Sequence, residues 1–362
     1  MTPPPSAPNR RLRILLHTRA SGGGGAERVF ATLAEALAAR GHLVTLAVDH
    51  HSGGTAPAGV ELVVLGAGHG RGVVALAGLL RRGAFDVAAA AVSVSCVKLA
   101  AARTMAMQRT PFVVSFHGFE EHRTGRLSAL AYRGLPLLSR MAARVVAVSD
   151  GLREALVSRW GSLPDRTVRI YNPVALREID QPDEADLMAR PPLVAAVGRL
   201  SPEKGMDDLL AAFALVRHKG ARLVIGGDGP DREALGRQAG TLRIADRVTF
   251  LGAIDGPAAA FATARVAVCP SRTEAFGMAV VEALAYGLPV VATACDGPRE
   301  ILGDGRFGVL TPIGDAAAMA EAIEAALDRP GDPSARIERA AAFSQARGVA
   351  AWEDLLRRVA AR

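Results

Sequence analysis

The chain has 362 residues, half of them apolar and 4% aromatic, with a net charge of +7. That length suits two domains. Three scattered cysteines (Cys96, Cys269, Cys295) exclude a disulfide framework or a cysteine zinc site and suit a reducing cytoplasm, and no charge-free apolar stretch reaches the roughly 18 residues of a spanning helix. The basic excess points to anionic partners: nucleotides, phosphates, lipid head groups or nucleic acid.

Residues 1–11 are proline-rich and polar, and read as a disordered tail rather than a signal peptide. Arg13 to His17 is a short buried strand. It runs into Gly22-Gly23-Gly24-Gly25, and a helix follows from Ala26 to Arg40, with Val29, Leu33 and Leu37 at four-residue spacing. Leu43 to Val48 is the next strand. This strand, glycine loop, helix and strand form a phosphate-cradling βαβ start. It is not a dinucleotide fingerprint, because the third glycine position holds Glu27. Asp49 stands where a ribose-binding acid would sit, which keeps a dehydrogenase among the alternatives.

A loop-rich stretch holds one apolar run, Val60 to Leu65. Arg71 to Arg82 reads as a helix, Val87 to Val94 as a strand, Lys98 to Met107 as a helix and Pro111 to Phe116 as a strand. His117 follows at a strand's C-terminal edge, where a parallel sheet holds its ligand; the competing reading is a satisfied structural histidine. Between Glu121 and Asp150 there is no acid. Arg126, Arg133, Arg140 and Arg144 share one helical face by spacing, interleaved with leucines and broken near Gly134 and Pro136. That pattern is either a solvated basic face or a docking surface for anionic lipid. Scarce aromatics argue against nucleic acid. Arg144 to Val148 is a strand, Ser149 caps a helix to Trp160, and Val168 to Tyr171 is the last strand of this half. Residues 175–192, with Pro182, Pro191 and Pro192, read as a linker between domains at 12–174 and 193–345.

The second half restarts with a strand, Leu193 to Val197, leading into Gly198-Arg199 and on to Lys204-Gly205. A helix, Met206 to His218, follows. Arg199 and Lys204 flank its N-terminus and would pair with a diphosphate. Strand Leu223 to Ile225 ends in Gly226-Gly227-Asp228-Gly229-Pro230, before a helix from Asp231. Strand Val248 to Leu251 and a short helix at Ala259 to Ala264 precede Cys269 to Thr293, the stretch richest in chemistry. There Glu274 opens a loop, Ala275-Phe276-Gly277. Met278 to Tyr286 is helical, and Gly287-Leu288-Pro289 ends it before Val290. Glu282 projects from that helix, so it and Glu274 can face one crevice. Two carboxylates beside a helix N-terminus suit a hydroxyl-rich, phosphate-bearing ligand, because carboxylates accept hydrogen bonds and the helix end donates them. They are equally read as solvated or capping groups. Strand Val309 to Thr311, helix Ala316 to Leu327 and an amphipathic C-terminal helix over 346–362, expected to pack back on the first domain, complete the chain.

VGRLSPEKG (197–205), GGDGP (226–230) and PSRTEAFGMAVVEALAYGLPVV (270–291) resemble the signature of family 4 retaining glycosyltransferases. GGGGAERV (22–29), FHG (116–118) and YNPV (171–174) match that family's first domain. The resemblance implies α/β class and the GT-B fold, two Rossmann-like doubly wound parallel sheets facing a central cleft. It implies that Arg199 and Lys204 hold the donor's diphosphate, that Glu282 binds the ribose and Glu274 the donor sugar. Gly198, Gly229 and the backbone of Ala275, Phe276, Gly277 and Met278 would line the donor, Gly23 and Gly24 would approach its diphosphate, and His117 would sit beside the transferred sugar. It departs from the family at Asn172-Pro173, where an Asn-Gly is common. The implied activity is sugar transfer from a nucleotide donor, UDP-linked by the family's habit, to a cell-envelope glycan or lipid-linked acceptor. The enzyme would be cytoplasmic, or peripheral on the inner face of the plasma membrane.

Physical chemistry agrees. Departure of a nucleoside diphosphate builds charge that a fixed arginine and lysine stabilise more as it grows. No D-x-D occurs in the chain, so no metal and no other cofactor is expected. Three alternatives stay open: a non-catalytic nucleotide-sugar-binding partner, a GT-B-like nucleotide-sugar epimerase and the dehydrogenase.

Overall fold

The computed structural model describes residues 10–22, 24–51, 56–66, 68–119, 121–123, 125–176 and 182–361. Most of the expected N-terminal tail, Gly23 and residues 177–181 of the expected linker lie outside them. The chain divides into two units, Met1–Pro173 with Gln345–Arg362, and Val174–Ser344. Among the described residues no helix is long and apolar enough to cross a membrane.

The first unit is built on β1 (Arg13–Ala20), α1 (Gly25–Ala39), β2 (Leu43–His50), β3 (Glu61–Val64), α2 (His69–Gly83), β4 (Val87–Ala91), α3 (Ser93–Ala106), β5 (Phe112–Phe116), α4 (Arg126–Arg133), α5 (Leu135–Met141), β6 (Arg144–Ala147), α6 (Asp150–Ser158) and β7 (Thr167–Arg169). The described strands pair in parallel in the order β3-β2-β1-β4-β5-β6-β7. The order reverses beside β1, so helices cover both faces and the strands are buried apolar runs such as Ile14-Leu15-Leu16. On one face α1 packs with the C-terminal helix, Gln345–Ala360. Trp352 of that helix is buried and meets Phe30 edge-on at 5.8 Å, a geometry that contributes about 0.5–1.5 kcal/mol beyond area burial.

Two expectations are overturned in this unit. Val87 to Val94 does not stay extended: β4 ends at Ala91 and α3 starts at Ser93, because Val92 takes a left-handed φ of 73° and the Ser93 N–H donates to Glu121 at 2.9 Å. The four arginines do not share one helix face either. Arg126 and Arg133 lie on α4 and Arg140 on α5, separated at Gly134, while Arg144 opens β6.

The second unit holds α7 (Glu184–Ala189), β8 (Leu193–Val197), α8 (Met206–Leu215), β9 (Arg222–Gly226), α9 (Arg232–Thr241), β10 (Val248–Gly252), α10 (Ala258–Phe261), β11 (Val266–Cys269), α11 (Met278–Ala285), β12 (Val290–Thr293), α12 (Asp296–Ile301), β13 (Val309–Thr311), α13 (Ala316–Asp328) and α14 (Ser334–Ala341). Its described strands form a second parallel sheet, β10-β9-β8-β11-β12-β13, again reversing beside its first strand. Inside the segment read as linker, α7 is closed by a capping box in which Asp183 and Asp186 bond each other's backbone N–H (2.8 and 3.0 Å). Its flanking prolines delimit a helix rather than exclude one. Val174 bridges Ser344, so the chain enters and leaves this unit side by side.

Candidate active site

Each unit gathers polar side chains beyond the C-terminal ends of its strands, the edge where open parallel sheets bind ligands. In the second unit, β8 is followed by Gly198, whose N–H donates to Gly226 O at 3.0 Å, and Leu200 N donates to Asp228 O at 3.0 Å. The loops after β8 and β9 thus touch backbone to backbone. A Cβ on Gly227 would lie 1.9 Å from the Gly198 carbonyl oxygen, and one on Gly229 would lie 2.3 Å from that of Leu200. Arg199 is exposed at this junction.

Pro202–Lys204 forms one tight turn, and Gly205, at φ 61°, starts α8. The Lys204 ammonium donates to Oε2 of Glu274, both side chains being part-buried. Burial works against the ammonium's charge, but pairing with Glu274 outweighs it and holds Lys204 above its ordinary value. The Glu274 loop is pinned where the Gly297 N–H donates to Glu274 O at 2.9 Å. Phe276 is buried edge-on against Phe343 at 5.8 Å, and Ala275 is buried beside it. Gly277, at φ 100°, turns the chain into α11, whose first residue is Met278 and whose second turn carries part-buried Glu282.

Arg272 was missed from sequence. Its guanidinium reaches Asp207 through both terminal nitrogens (2.9 and 2.7 Å), Asp208 at 2.8 Å and Pro202 O at 2.6 Å. Its own N–H donates to Glu203 O at 2.9 Å. This fork ties the turn that carries Lys204, and the first turn of α8, to the end of β11. The Asp207-Asp208 pair was the available signal, but a 65-residue separation from Arg272 gave spacing no hold on it.

In the first unit, Gly24 is the N-cap of α1, and a Cβ there would lie 2.2 Å from the Glu27 carboxylate. Glu27 is buried in that first turn and pairs with Arg19 at 3.4 Å. Asp49 is committed to buried Lys98 at 2.7 Å, so it is not the free ribose acid that a dehydrogenase needs. His117 follows β5. Its Nε2 bonds Ser115 Oγ at 3.0 Å, and its ring stands edge-on to Phe30 at 6.1 Å. Burial lowers His117 to about 4, against a weaker opposite pull from Asn172, so it is neutral at pH 7. Glu121, also missed, accepts the backbone N–H of His117 and of Ser93, each at 2.9 Å, and fixes the histidine loop to the start of α3. Among the described residues no group of three or more His, Cys, Asp or Glu side chains is placed to hold a metal ion.

Residues 179–343 match the family model of Glycosyl transferases group 1, and residues 23–178 that of Glycosyltransferase Family 4. The phosphatidyl-myo-inositol mannosyltransferase of Mycobacterium leprae is 37% identical over 231 residues, 60% of this chain and 58% of that protein. The GDP-mannose-dependent alpha-mannosyltransferase of Mycobacterium tuberculosis is 37% identical over 193 residues, 49% of this chain and 46% of that one. The chain thus spans about half the length of the curated relatives it matches. Among solved structures, HepE of Anabaena, in complex with UDP and glucose, aligns with a TM-score of 0.82 at 22% identity, over 96% of this chain and 99% of that chain. That likeness concerns the fold, which is GT-B: two doubly wound parallel-sheet domains. The two family matches meet at residue 178 and run unbroken from residue 23 to residue 343, and the chain belongs to the group 1, family 4 glycosyltransferases.

Proposed function

We infer that the protein transfers a sugar, with retention at the anomeric carbon and without a metal, from a nucleoside-diphosphate donor to a cell-envelope glycan or lipid-linked acceptor, working at the inner face of the plasma membrane. The observation that carries this reading is the Lys204–Glu274 pair at the mouth of two helix-starting loops. A nucleoside diphosphate leaving the sugar gathers charge on its terminal phosphate. Lys204, with exposed Arg199, meets that charge as it grows, which lowers the barrier. Glu274 keeps the ammonium charged and is the acceptor for sugar hydroxyls; Glu282 is the acceptor for the ribose. Gly198, Gly229 and the backbone from Ala275 to Met278 line the donor. In the first unit, Gly23 and Gly24 are assigned to the diphosphate and neutral His117 to the transferred sugar. The departing phosphate takes the acceptor's proton, so no separate protein base is needed.

A UDP-sugar is the first candidate donor; HepE, similar in fold, is seen with UDP and glucose. A GDP-sugar is the second reading, favoured by the 37% identity to a GDP-mannose-dependent enzyme. Thermal-shift titration with UDP, GDP, ADP, NAD and their sugar conjugates separates them, with Lys204→Ala as control. A ligand at 100 times its Kd adds about 2.7 kcal/mol of stability. A shift with one nucleoside diphosphate, lost in the control, supports the reading and names the base. A shift with NAD alone, or with nothing, overturns it.

A further inference from the structure

The second unit holds a cavity of about 370 Å³ that the candidate active site does not use. That is at the small end of the range in which organic ligands are held. Its walls include the start of β12, at Pro289 and Val290, and the start of β13, at Val309. The Lys204–Glu274 pair lies beyond the opposite, C-terminal edge of the same sheet, after β8 and β11. The four residues of β12 separate those edges by roughly 13 Å, so the cavity is a site of its own. Small residues give it room. On α13, Ala322, Ala325 and Ala326 recur on one face at helical spacing, where larger side chains would fill the space. Gly308 lets the loop before β13 press against β12, since a Cβ there would lie 2.7 Å from the Val290 carbonyl oxygen. That loop brings Arg306 and Phe307 to the cavity, with the Arg306 guanidinium 4.6 Å from the centre of the Phe307 ring.

Arg306, Arg329 and Arg336 line this cavity with one carboxylate, Asp332. Asp332 already accepts the N–H and the hydroxyl of Ser334, at 3.0 and 2.8 Å. The guanidinium groups of Arg306 and Arg329 make no ion pair or hydrogen bond among the described residues. Arg336 is half-buried and held in place: its Nε donates to Gly287 O and its Nη2 to Gly331 O, each at 2.9 Å. Yet it too makes no ion pair among the described residues. Burial holds Arg336 below its ordinary value, at about 10, against opposite pulls from Asp332 and Glu184. A half-buried cation without a counter-ion carries a desolvation cost that a bound anion offsets. Three guanidinium groups against one carboxylate leave two positive charges. A phosphate monoester carries that charge in opposite sign at neutral pH; a carboxylate carries half of it. Guanidinium forks also match phosphate oxygens two at a time. The alanine, proline and valine walls suit an apolar body rather than a hydroxyl-rich one, and the small volume suits a small molecule.

We propose that this cavity is a second binding site, for a small phosphate monoester with a compact apolar body. It stands independently of the transfer reading. The test is calorimetric titration of the full chain at neutral pH with phenyl phosphate, which joins a dianionic phosphate to an apolar ring. Lys204→Ala should bind it with the parent's Kd, because the donor site is on the other edge of the sheet. Arg306→Gln/Arg329→Gln should bind roughly a hundredfold more weakly, at about tenfold or more for each charged partner lost. Ala325→Phe fills the cavity without touching its charge and should lose binding. All three positions are exposed, and an unchanged Tm without ligand checks that each variant is folded. Inorganic phosphate, which lacks the apolar ring, and benzoate, which lacks the second charge, should each bind the parent about tenfold or more weakly than phenyl phosphate. Parental affinity in the arginine variant or in Ala325→Phe would overturn the proposal. So would loss of binding in Lys204→Ala, which would put the probe at the donor site, or no measurable binding by the parent. Tighter parental binding of an acidic peptide than of phenyl phosphate would also overturn it, by making this face a protein contact.

Discussion

Lys204 and Glu274 lie 70 residues apart in sequence and share a hydrogen bond in the fold. The carboxylate keeps the ammonium charged and aimed. On the reading above, the ammonium is the group that stabilises the leaving diphosphate. Lys204→Ala should therefore lower kcat by about 10²–10³, the cost of one preorganised donor. Lys204→Arg should recover part of that, since the charge returns with a different reach. Release of nucleoside diphosphate under saturating donor measures both. Full activity in Lys204→Ala would remove this pair from the chemistry.

Arg272 acts on Lys204 through the backbone. Its fork to Asp207 and Asp208 and its bond to Pro202 O hold the turn that ends in Lys204. Hydrogen bonding to Arg272 also holds Asp207 below the usual carboxylate range. The pair is half-exposed, so its contribution to stability is about 1 kcal/mol or less. For a unit of this size that is about 2–4 °C in Tm. Activity should suffer more: Arg272→Ala is expected to lower kcat by about tenfold or more with KM little changed, and Arg272→Lys to rescue little because it lacks the fork. Activity falling only in step with the unfolded fraction would assign Arg272 a purely structural role.

Much of this was legible beforehand because glycine loops between apolar runs are local signals. Gly198, Gly227, Gly229 and Gly277 stand where strands hand over to helices, and β8 and β13 have the bounds their apolar runs predict. What was hidden is tertiary. Val92-Ser93-Val94 has strand-forming composition, yet Glu121, 28 residues on, holds Ser93 at a helix start. The Arg272 fork closes over 65 residues, beyond any spacing rule. Helix α7 was masked by the prolines that bracket it.

Glycine at 227 is a steric requirement. With φ at 134° and the Gly198 carbonyl oxygen 1.9 Å from any Cβ, alanine must displace backbone from the β8 loop. Gly227→Ala should cost about 3 kcal/mol or more. Gly240 is the contrast: it sits in α9 with nothing within 4 Å of a built Cβ. Gly240→Ala should be neutral or stabilising by up to about 1 kcal/mol. Denaturant midpoints for the two variants check this, and equal midpoints would refute the steric account.

Beside the Trp352–Phe30 contact, one carboxylate of the C-terminal helix gathers several bonds. Glu353 accepts from Arg40 at 2.7 Å, from Arg357 at 2.7 Å and lies 3.1 Å from His42 Nε2. Burial alone would raise it, but these bonds outweigh burial and pull Glu353 from 4.5 down to about 2. A folded-state value below the unfolded one contributes stability that is fully present above the unfolded value and fades as pH falls through the folded one. The window is therefore pH about 4.5 to about 2. His117, lowered by burial, also costs stability in acid because the unfolded chain protonates first, but that loss is common to parent and variant and cancels in their difference. Glu353→Gln should be clearly less stable than the parent at neutral pH, and the gap in Tm should close as pH falls through that window. A gap of constant size from neutral pH down to the acid limit would show that Glu353 holds the helix by packing and not by its charge.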